Sequence, residues 1–399
     1  MAAGDTPERI GVRIARERKR RGLTQLGLAQ RANYSRSHIA QVEAGHKMAT
    51  PAFIAAVAAA LGVSPARLYG QPFYENSPVR GAVHTHIPEI RRVLALVDVP
   101  PDLEGPPRRL TELDAELAMI RRLQVASRYS RIGERLPALL QELSWHAHHT
   151  EQARVWHMLF LAQEAAADLC RKLGYHDLAG TCLDRAAESA RRAQDPHLPL
   201  LVVFRRSLLL LAVAQWRSAL TLLDRAVRAV DHSREDAAEV LGTAHLRAAI
   251  AAARAGDAAT AWDHHGQAVE IRRRAGRAPG DRHGITTGFV TGNVAIHGAA
   301  VAVELGDMDE AVRRDRRIHP RLLADLPPER RAHHEIDMSR ALLETGDYGR
   351  ALQRLEKAEQ IAPQLTYFHP SARSVVAHLV DVRRTLPEPL RRLQSRMGV

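Results

Sequence analysis

Three side chains with the chemistry to contact DNA bases stand close together near the start of the chain: Arg36, Ser37 and Gln41. An Arg can form two hydrogen bonds to guanine, and a Gln can form two to adenine. Residues 37 and 41 are one helical turn apart and residue 36 adjoins residue 37, so a helix here presents all three on one face. The spacing predicts a surface that contacts base edges, with a phosphate contact from Arg36 as the alternative.

Metal and enzymatic chemistry receive less support from the sequence. Several imidazoles occur at helical spacing, at residues His146, His148, His149 and His157. No carboxylate or Cys follows them at an interval typical of metal sites, so we interpret them as a solvated helix end. The chain has no Gly-x-Ser-x-Gly motif and no phosphate-binding glycine loop. We therefore expect no catalytic activity, no cofactor and no bound metal.

The positive charge of the chain is concentrated at its N-terminal end. The chain of 399 residues has a formal net charge of +12. Residues 1–70 contain eleven Lys or Arg against four acidic residues, so they carry most of that excess. A bias toward Arg over Lys across the whole chain does not explain this concentration. A small domain this basic suits the phosphate backbone of a nucleic acid.

The sequence predicts a cytoplasmic protein that does not span a membrane. The first ten residues contain charged side chains and no apolar run, so we expect no secretory signal. The longest apolar stretch, residues 198–216, is interrupted by Arg205 and Arg206. Cys170 and Cys182 form no disulfide framework, and we interpret them as buried helical thiols rather than as a redox pair.

Residues 8–70 are predicted to form five helices. The first ends at Gly22, and Thr24 is a predicted N-cap of the second. Asn33 tolerates the left-handed conformation that a tight turn often requires. Ser35 is a predicted N-cap of the third helix, which stops at Gly45, and two further helices begin at prolines and cover residues 51–61 and 65–68. The second and third helices are therefore joined by a tight turn.

These residues carry a family resemblance. The matching positions are Leu23-Thr24-Gln25, Leu28-Ala29, Ser35, Ile39, Val42-Glu43, Gly45 and Ala60-Leu61-Gly62-Val63. With them, roughly residues 8–70 resemble the Cro/C1-type (XRE family) helix-turn-helix domain. Tyr34 departs from the pattern, because the family usually has an aliphatic residue at this turn position. The resemblance implies double-stranded DNA as the partner, with the third helix in the major groove.

The resemblance also implies a role for individual side chains. It implies three phosphate contacts, from Gln25, Ser35 and Lys47. It implies three base contacts, from Arg36, Ser37 and Gln41, in agreement with their chemistry. It implies an internal ion pair between Arg18 and Glu43 that joins the first and third helices. An acidic side chain exposed here would repel phosphates, so a buried structural role for Glu43 is favoured.

The rest of the chain contains a linker and an internal repeat. Residues 71–109 are rich in proline, with one amphipathic helix predicted over residues 87–97. Beyond them, a small residue followed five positions later by Ala recurs in five pairs: Gly174/Ala179, Ala214/Ala219, Gly256/Ala261, Gly306/Ala311 and Gly346/Ala351. Most of these pairs are flanked by further small residues seven positions away on either side. Such spacing lets two antiparallel helices approach closely; an earlier set, Ala126, Gly133 and Ala138, fits less well.

The repeats resemble tetratricopeptide (TPR) repeats, which pair helices around small residues in this order. The last unit matches best, with Gly346-Asp347-Tyr348, Ala351, Leu355, Ala358 and Pro363. The expected fold is all-α: a helix-turn-helix domain over residues 1–70, a linker over 71–109 and a TPR-like α-solenoid over 110–399. A solenoid of this kind commonly binds a peptide or a protein on its inner surface.

A DNA-binding domain followed by TPR repeats resembles the peptide-pheromone receptors of Gram-positive bacteria and many regulators of actinobacteria. The resemblance implies a homodimeric transcriptional regulator that senses a peptide, a small molecule or a protein partner. Asn293, His297 and Arg340 are candidate ligand contacts, with ordinary interhelical hydrogen bonding as the alternative. The alternative function is an interaction scaffold whose DNA binding is vestigial or only autoregulatory.

Overall fold

The structure, a computed structural model, describes residues 9–73, 83–96, 99–275 and 288–399. Within these ranges all regular secondary structure is helical, which confirms the predicted all-α class. Five helices form an N-terminal unit that we call the head: α1 (Ile10–Arg20), α2 (Gln25–Ala32), α3 (Arg36–Glu43), α4 (Pro51–Leu61) and α5 (Pro65–Tyr69).

The helices that follow form a second unit, the body. They are α6 (Ile87–Ala95), α7 (Leu110–Val125), α8 (Tyr129–His149), α9 (Ala153–Leu173), α10 (His176–Arg192), α11 (Leu198–Ala212), α12 (Trp216–Arg228), α13 (Ala237–Arg254), α14 (Ala258–Arg274), α15 (Thr291–Leu305), α16 (Met308–Arg317), α17 (Pro320–Ala324), α18 (Pro328–Glu344), α19 (Tyr348–Ile361), α20 (Pro363–Phe368), α21 (Pro370–Val382) and α22 (Glu388–Met397). No described helix is both long and apolar enough to cross a membrane.

Side-chain caps fix where the helices of the head begin. Thr24, Ser35, Thr50 and Ser64 each accept a hydrogen bond from the backbone N–H three residues later, at 3.0–3.3 Å. Asn33, between α2 and α3, has a left-handed backbone with a φ of 56°. The caps and the turn predicted for α2 and α3 are thus confirmed. Fully buried side chains from all five helices form the core of the head: Ile14, Leu28, Ile39, Phe53, Ile54, Val57 and Leu68.

The linker helix α6 packs on the body. Ile87, Ile90 and Val93 are at most 5% exposed and belong to the same hydrophobic core as α8 and α10. Because apolar side chains repeat every three or four residues along α6, one face of the helix is buried while the other stays polar. The core of the body therefore includes α6 and extends N-terminal to the predicted start at residue 110.

Each of the five predicted repeat units folds as a helical hairpin. The hairpins are α9–α10, α11–α12, α13–α14, α15–α16 and α18–α19. The first small residue of every unit lies in the turn with a positive φ, between 66° at Ala214 and 90° at Gly174. The alanine five positions later is fully buried in every unit, where its small side chain lets the paired helices approach.

One weaker part of the repeat prediction is wrong. The turn between α7 and α8 falls at Ser127, which has a φ of 53°, and Gly133 lies inside α8. The set Ala126, Gly133 and Ala138 is therefore not a repeat unit. The wide spacing between Ala261 and Ala311 reflects a longer connection between α14 and α15, most of which lies outside the described residues.

The hairpin array curls until its first and fifth hairpins meet. Lys172 on α9 lies 2.6 Å from the Glu329 carboxylate on α18, although 157 residues separate them. Around this contact lies a set of charged side chains that we call the inner ionic cluster: Glu164, Asp168, Lys172, Arg205 and Glu329. All five side chains are at most 15% exposed. Ion pairing offsets part of the cost of burying charge inside the curl.

The head and the body are joined by a small number of contacts. Arg9 forms an ion pair of 2.5 Å with Asp381 on α21. Gln71, which follows α5, packs so closely on the α9–α10 turn that a Cβ at Gly174 would lie 2.7 Å from the Gln71 Cβ. The buried residues of the head form a hydrophobic core separate from that of the body. The two units therefore have independent cores and a limited interface.

Candidate nucleic-acid interface

The side chains predicted to contact DNA bases lie together on the outer face of α3. Arg36, Ser37 and Gln41 are all exposed, at the first, second and sixth positions of the helix. Among the described residues, none of the three side chains has a hydrogen-bond or ion-pair partner. Their donors and acceptors are therefore available to a partner outside the chain.

A cluster of three aromatic rings holds α3 against α4. The His38 ring stacks on Phe53 at a centroid distance of 4.8 Å, and Tyr34 meets both rings edge-on at 5.0 and 4.9 Å. Burial, together with the charge of Lys47, lowers the pKa of His38, so the ring is neutral at pH 7. Tyr34, at a turn position where the XRE family usually has an aliphatic residue, thus supports the turn before α3. The structural role of His38 was missed, because nothing local marks a contact with α4.

A buried ion pair connects α3 to α1. The Arg18 guanidinium donates to both carboxylate oxygens of Glu43, at 2.6 and 2.8 Å. This bidentate hydrogen bonding raises the pKa of Arg18. Gln25 donates its side-chain amide to Glu43 at 3.0 Å, so one carboxylate ties α1, α2 and α3 together. The structure brings the predicted pair together, and it commits the Gln25 amide nitrogen to Glu43 rather than to solvent.

A second buried carboxylate in the head was missed by the sequence analysis. Glu17 is 1% exposed and contacts Arg21 at 2.9 Å and Arg67 at 3.0 Å. Burial alone would raise its pKa, but the hydrogen bonds from the two guanidinium groups outweigh burial and lower it. Glu17 therefore anchors α5 to α1 and neutralises cations away from α3.

The other predicted phosphate contacts lie beside α3. Ser35 is exposed, and its hydroxyl oxygen accepts a hydrogen bond from the His38 N–H at 3.1 Å. Lys47 is exposed in the loop between α3 and α4. That loop borders a crevice whose other wall, on α21, includes His378 and Asp381. One predicted phosphate contact thus lies where the head meets the body.

Residues 9–68 match the family model of a helix-turn-helix domain. The match spans α1 to α5. The chain is also 40% identical over 62 residues to the immunity repressor protein of Bacillus phage phi105, which covers 16% of this chain and 43% of the repressor. The chain therefore spans less than half the length of that repressor. Among solved structures it is similar to BtubC (BKLC) from P. vanneervenii, with a TM-score of 0.37 and 17% identity over 69% of this chain and 95% of that one.

Outside the helix-turn-helix domain, the candidate ligand residues are engaged by other side chains. Asn293 is 2% exposed and accepts a hydrogen bond from Arg330 at 3.0 Å. The same guanidinium lies 3.4 Å from His297. Arg340 is 4% exposed and donates to Glu344 at 3.2 Å. The contacts of these three residues are interhelical or within one helix, as in the alternative interpretation, and Arg330 was missed.

The histidines and cysteines considered for other chemistry have structural contacts. His146 bonds the Arg108 carbonyl at 2.9 Å, and His149 stacks on Trp145 at 3.9 Å between ring centroids. No three His, Cys, Asp or Glu side chains in the described ranges are grouped as metal ligands would be. Cys170 and Cys182 are both buried and form no disulfide.

Proposed function

We propose that the protein is a sequence-specific DNA-binding transcriptional regulator. The observation that carries the proposal is the outer face of α3, a helix held by buried contacts. There Arg36, Ser37 and Gln41 are exposed and have no partner among the residues that the structure describes. The matches to a helix-turn-helix domain and to a phage repressor support it. The concentration of positive charge in residues 1–70 supports attraction to the phosphate backbone.

In this proposal α3 enters the major groove. Arg36 donates two hydrogen bonds to a guanine. Gln41 forms two hydrogen bonds with an adenine or contacts a neighbouring base together with Ser37. Ser35 and Lys47 contact phosphates on either side of the groove and set the register of the helix. Since the Gln25 amide nitrogen bonds Glu43, Gln25 contributes to phosphate binding mainly through the backbone N–H groups at the start of α2.

The body supplies the regulation and the oligomeric state. Its stacked hairpins with buried alanines support a TPR-like array that senses a peptide, a small molecule or a protein partner. A symmetric dimer would bind two half-sites about 34 Å apart, or a multiple of that distance. Light scattering on the purified chain should then give a mass near twice 44.2 kDa.

Selection of genomic fragments by the purified protein tests the DNA-binding function. The wild type should enrich a defined set of fragments, and the Arg36→Ala, Gln41→Ala double variant should lose that enrichment. On a selected site, Arg36→Ala alone should cost about 1–3 kcal/mol and relax the preference at one base pair. Arg20→Ala is the matched control, because this exposed Arg lies on α1 and pairs with Glu17.

Two outcomes would change the proposal. Equal loss of affinity by Arg36→Ala on selected and random DNA would reassign Arg36 to a phosphate. If the wild type enriches no fragment beyond nonspecific binding, the proposal fails and an interaction scaffold takes its place.

A further inference from the structure

A cavity of about 180 Å³ lies between the head and the body. Its head wall is formed by Pro51 and Ala55 of α4, Tyr69 of α5 and Gln71. Its body wall comes from several hairpins, from α8 and α20, and from the start of α21. Whatever occupies the cavity therefore contacts both units at once.

The polar wall of the cavity is cationic. Arg171, Lys172 and Arg254 line it, and none of its described lining residues is an Asp or a Glu. The carboxylates that balance these cations lie behind the wall: Asp168 is 2.9 Å from Arg171 and 2.7 Å from Lys172. The cations are thereby held in position with their remaining surface toward the cavity.

Three nitrogen atoms of residues at this wall have no hydrogen-bond partner in the part of the chain that the structure describes. The Nε atoms of Arg171 and Arg254 and the Nδ1 atom of His369 are buried, and none has a hydrogen bond to a described residue. A buried polar atom without a partner costs free energy, and a native structure usually supplies water, an ion or a ligand to satisfy it. Two guanidinium donors on one wall suit an acceptor with more than one oxygen.

Aromatic side chains line the same cavity. Tyr69, Tyr129, Trp216 and Phe368 line it. An apolar cavity of about 150 Å³ holds a benzene ring, so this one has room for a phenyl group with a short chain. The combination of cationic and aromatic lining residues suits a ligand that has both an anionic group and an apolar group.

We propose that this cavity binds a small organic carboxylate with an apolar group, the carboxylate on Arg171 and Arg254 and the apolar group against Tyr69 and Trp216. The proposal deepens the sensing role assigned to the body and rests on it. Because the ligand bridges head and body, its binding holds the head at one position on the body.

Titration of the full-length protein with 4-phenylbutyrate tests the site. Binding is followed by calorimetry and by the fluorescence of Trp216, with Trp216→Phe identifying the reporter. The carboxylate should bind saturably, and 4-phenylbutyramide, its uncharged isostere, should bind about 10-fold or more weakly because it loses two charge-assisted hydrogen bonds. N-acetylphenylalanine and its amide test in the same way whether the carboxylate belongs to a peptide.

Variants locate the binding. Arg171→Gln and Arg254→Gln should each weaken 4-phenylbutyrate binding about 10-fold, and Arg206→Gln should not, because Arg206 pairs with Asp184 outside the cavity. Tyr69→Ala should also weaken binding. Because this variant leaves the charges of the body intact, it guards against a loss of binding that arises only because an Arg variant fails to fold. Equal binding of acid and amide, or no saturable binding of either carboxylate in the millimolar range, overturns the proposal. Neither readout involves DNA, so its failure is distinguishable from failure of the DNA-binding function.

Discussion

Cations are arranged in opposite ways on the helix-turn-helix domain and inside the body. Arg36 and Lys47 are exposed and have no ion-pair partner among the described residues. Arg171 and Lys172 are anchored by Asp168, and Lys172 also contacts Glu329 at 2.6 Å. A solvated cation costs little to keep free and suits an extended polyanion such as DNA. A buried cation held by a carboxylate is fixed in direction, which suits one small anion.

The head also contains a buried ion pair. The difference between the two arrangements of cations therefore reflects their function and not only their location. Arg18 and Glu43 are about as buried as the inner ionic cluster, with side chains 10% and 7% exposed. Their pairing leaves no donor directed at a cavity and instead fixes α3 on α1. Buried charge in the head thus supports the exposed charge that we propose contacts DNA.

Removal of one cation from each region should separate the two arrangements most clearly. Lys172→Ala leaves Asp168 and Glu329 buried with one partner fewer, and should destabilise the body by about 3–5 kcal/mol. Arg36→Ala should change the free energy of unfolding by less than about 0.5 kcal/mol, because its side chain is exposed. Urea denaturation followed by circular dichroism measures both. Similar effects of the two changes would remove the distinction.

Acid should weaken the body through a neutral histidine. Burial, with Arg171 and Arg254 nearby, lowers the pKa of His369 to about 4, whereas the unfolded chain has an ordinary value of 6.5. Between these values the unfolded state binds more protons, so stability falls as the pH drops through this window. From pH 7 to pH 5 the loss due to His369 should be about 1–2 kcal/mol.

The measurement is the difference in unfolding free energy between pH 7 and pH 5, for the wild type and for His369→Gln. The variant should show a smaller pH dependence, and His232→Gln, at an exposed site, should show that of the wild type. An unchanged pH dependence in His369→Gln would mean that His369 is protonated in the folded body, as a solvated group would be.

Substitutions in the turns of the hairpins should change the free energy of unfolding less than the substitutions above, because the turns act locally. Ala214 stands at the turn position where the other four units have glycine, and its φ is 66°. A side chain disfavours this left-handed backbone, so Ala214→Gly should stabilise the body by about 0.5–1 kcal/mol. Ala255, at the end of α13, has a φ of −75°, and Ala255→Gly should have the opposite sign. Thermal melting distinguishes them, and destabilisation by Ala214→Gly would contradict the strain.

The same distinction between local and distant determinants explains what the sequence predicted. Caps such as Thr24 and Ser35, the left-handed Asn33 and the glycine turns follow from a few neighbouring residues, and the structure has them where they were expected. The buried alanines of the hairpins follow from a fixed spacing. Such features require no knowledge of the tertiary arrangement.

Other features depend on the tertiary arrangement of all the hairpins together. Lys172 meets Glu329 only because small rotations accumulate over five hairpins, and no local pattern encodes their sum. For the same reason the sequence left two interpretations open for Asn293 and His297, ligand contact or interhelical bonding, and did not identify Arg330, which reaches them from another hairpin. The cavity between the units, whose walls come from distant segments, had no sequence pattern to reveal it.

The smallest expected effect lies where the two arrangements meet. Asp381 of the body pairs with Arg9 and faces the loop that carries Lys47. A unit charge about 8 Å from a phosphate contributes about 0.5 kcal/mol in water, so Asp381→Asn should raise the affinity for DNA about twofold and steepen its salt dependence. Asp184→Asn, which also frees an Arg but lies on α10, is the matched control. Fluorescence anisotropy at several salt concentrations measures both. Weaker DNA binding by Asp381→Asn would mean instead that this contact holds the head in its DNA-binding position.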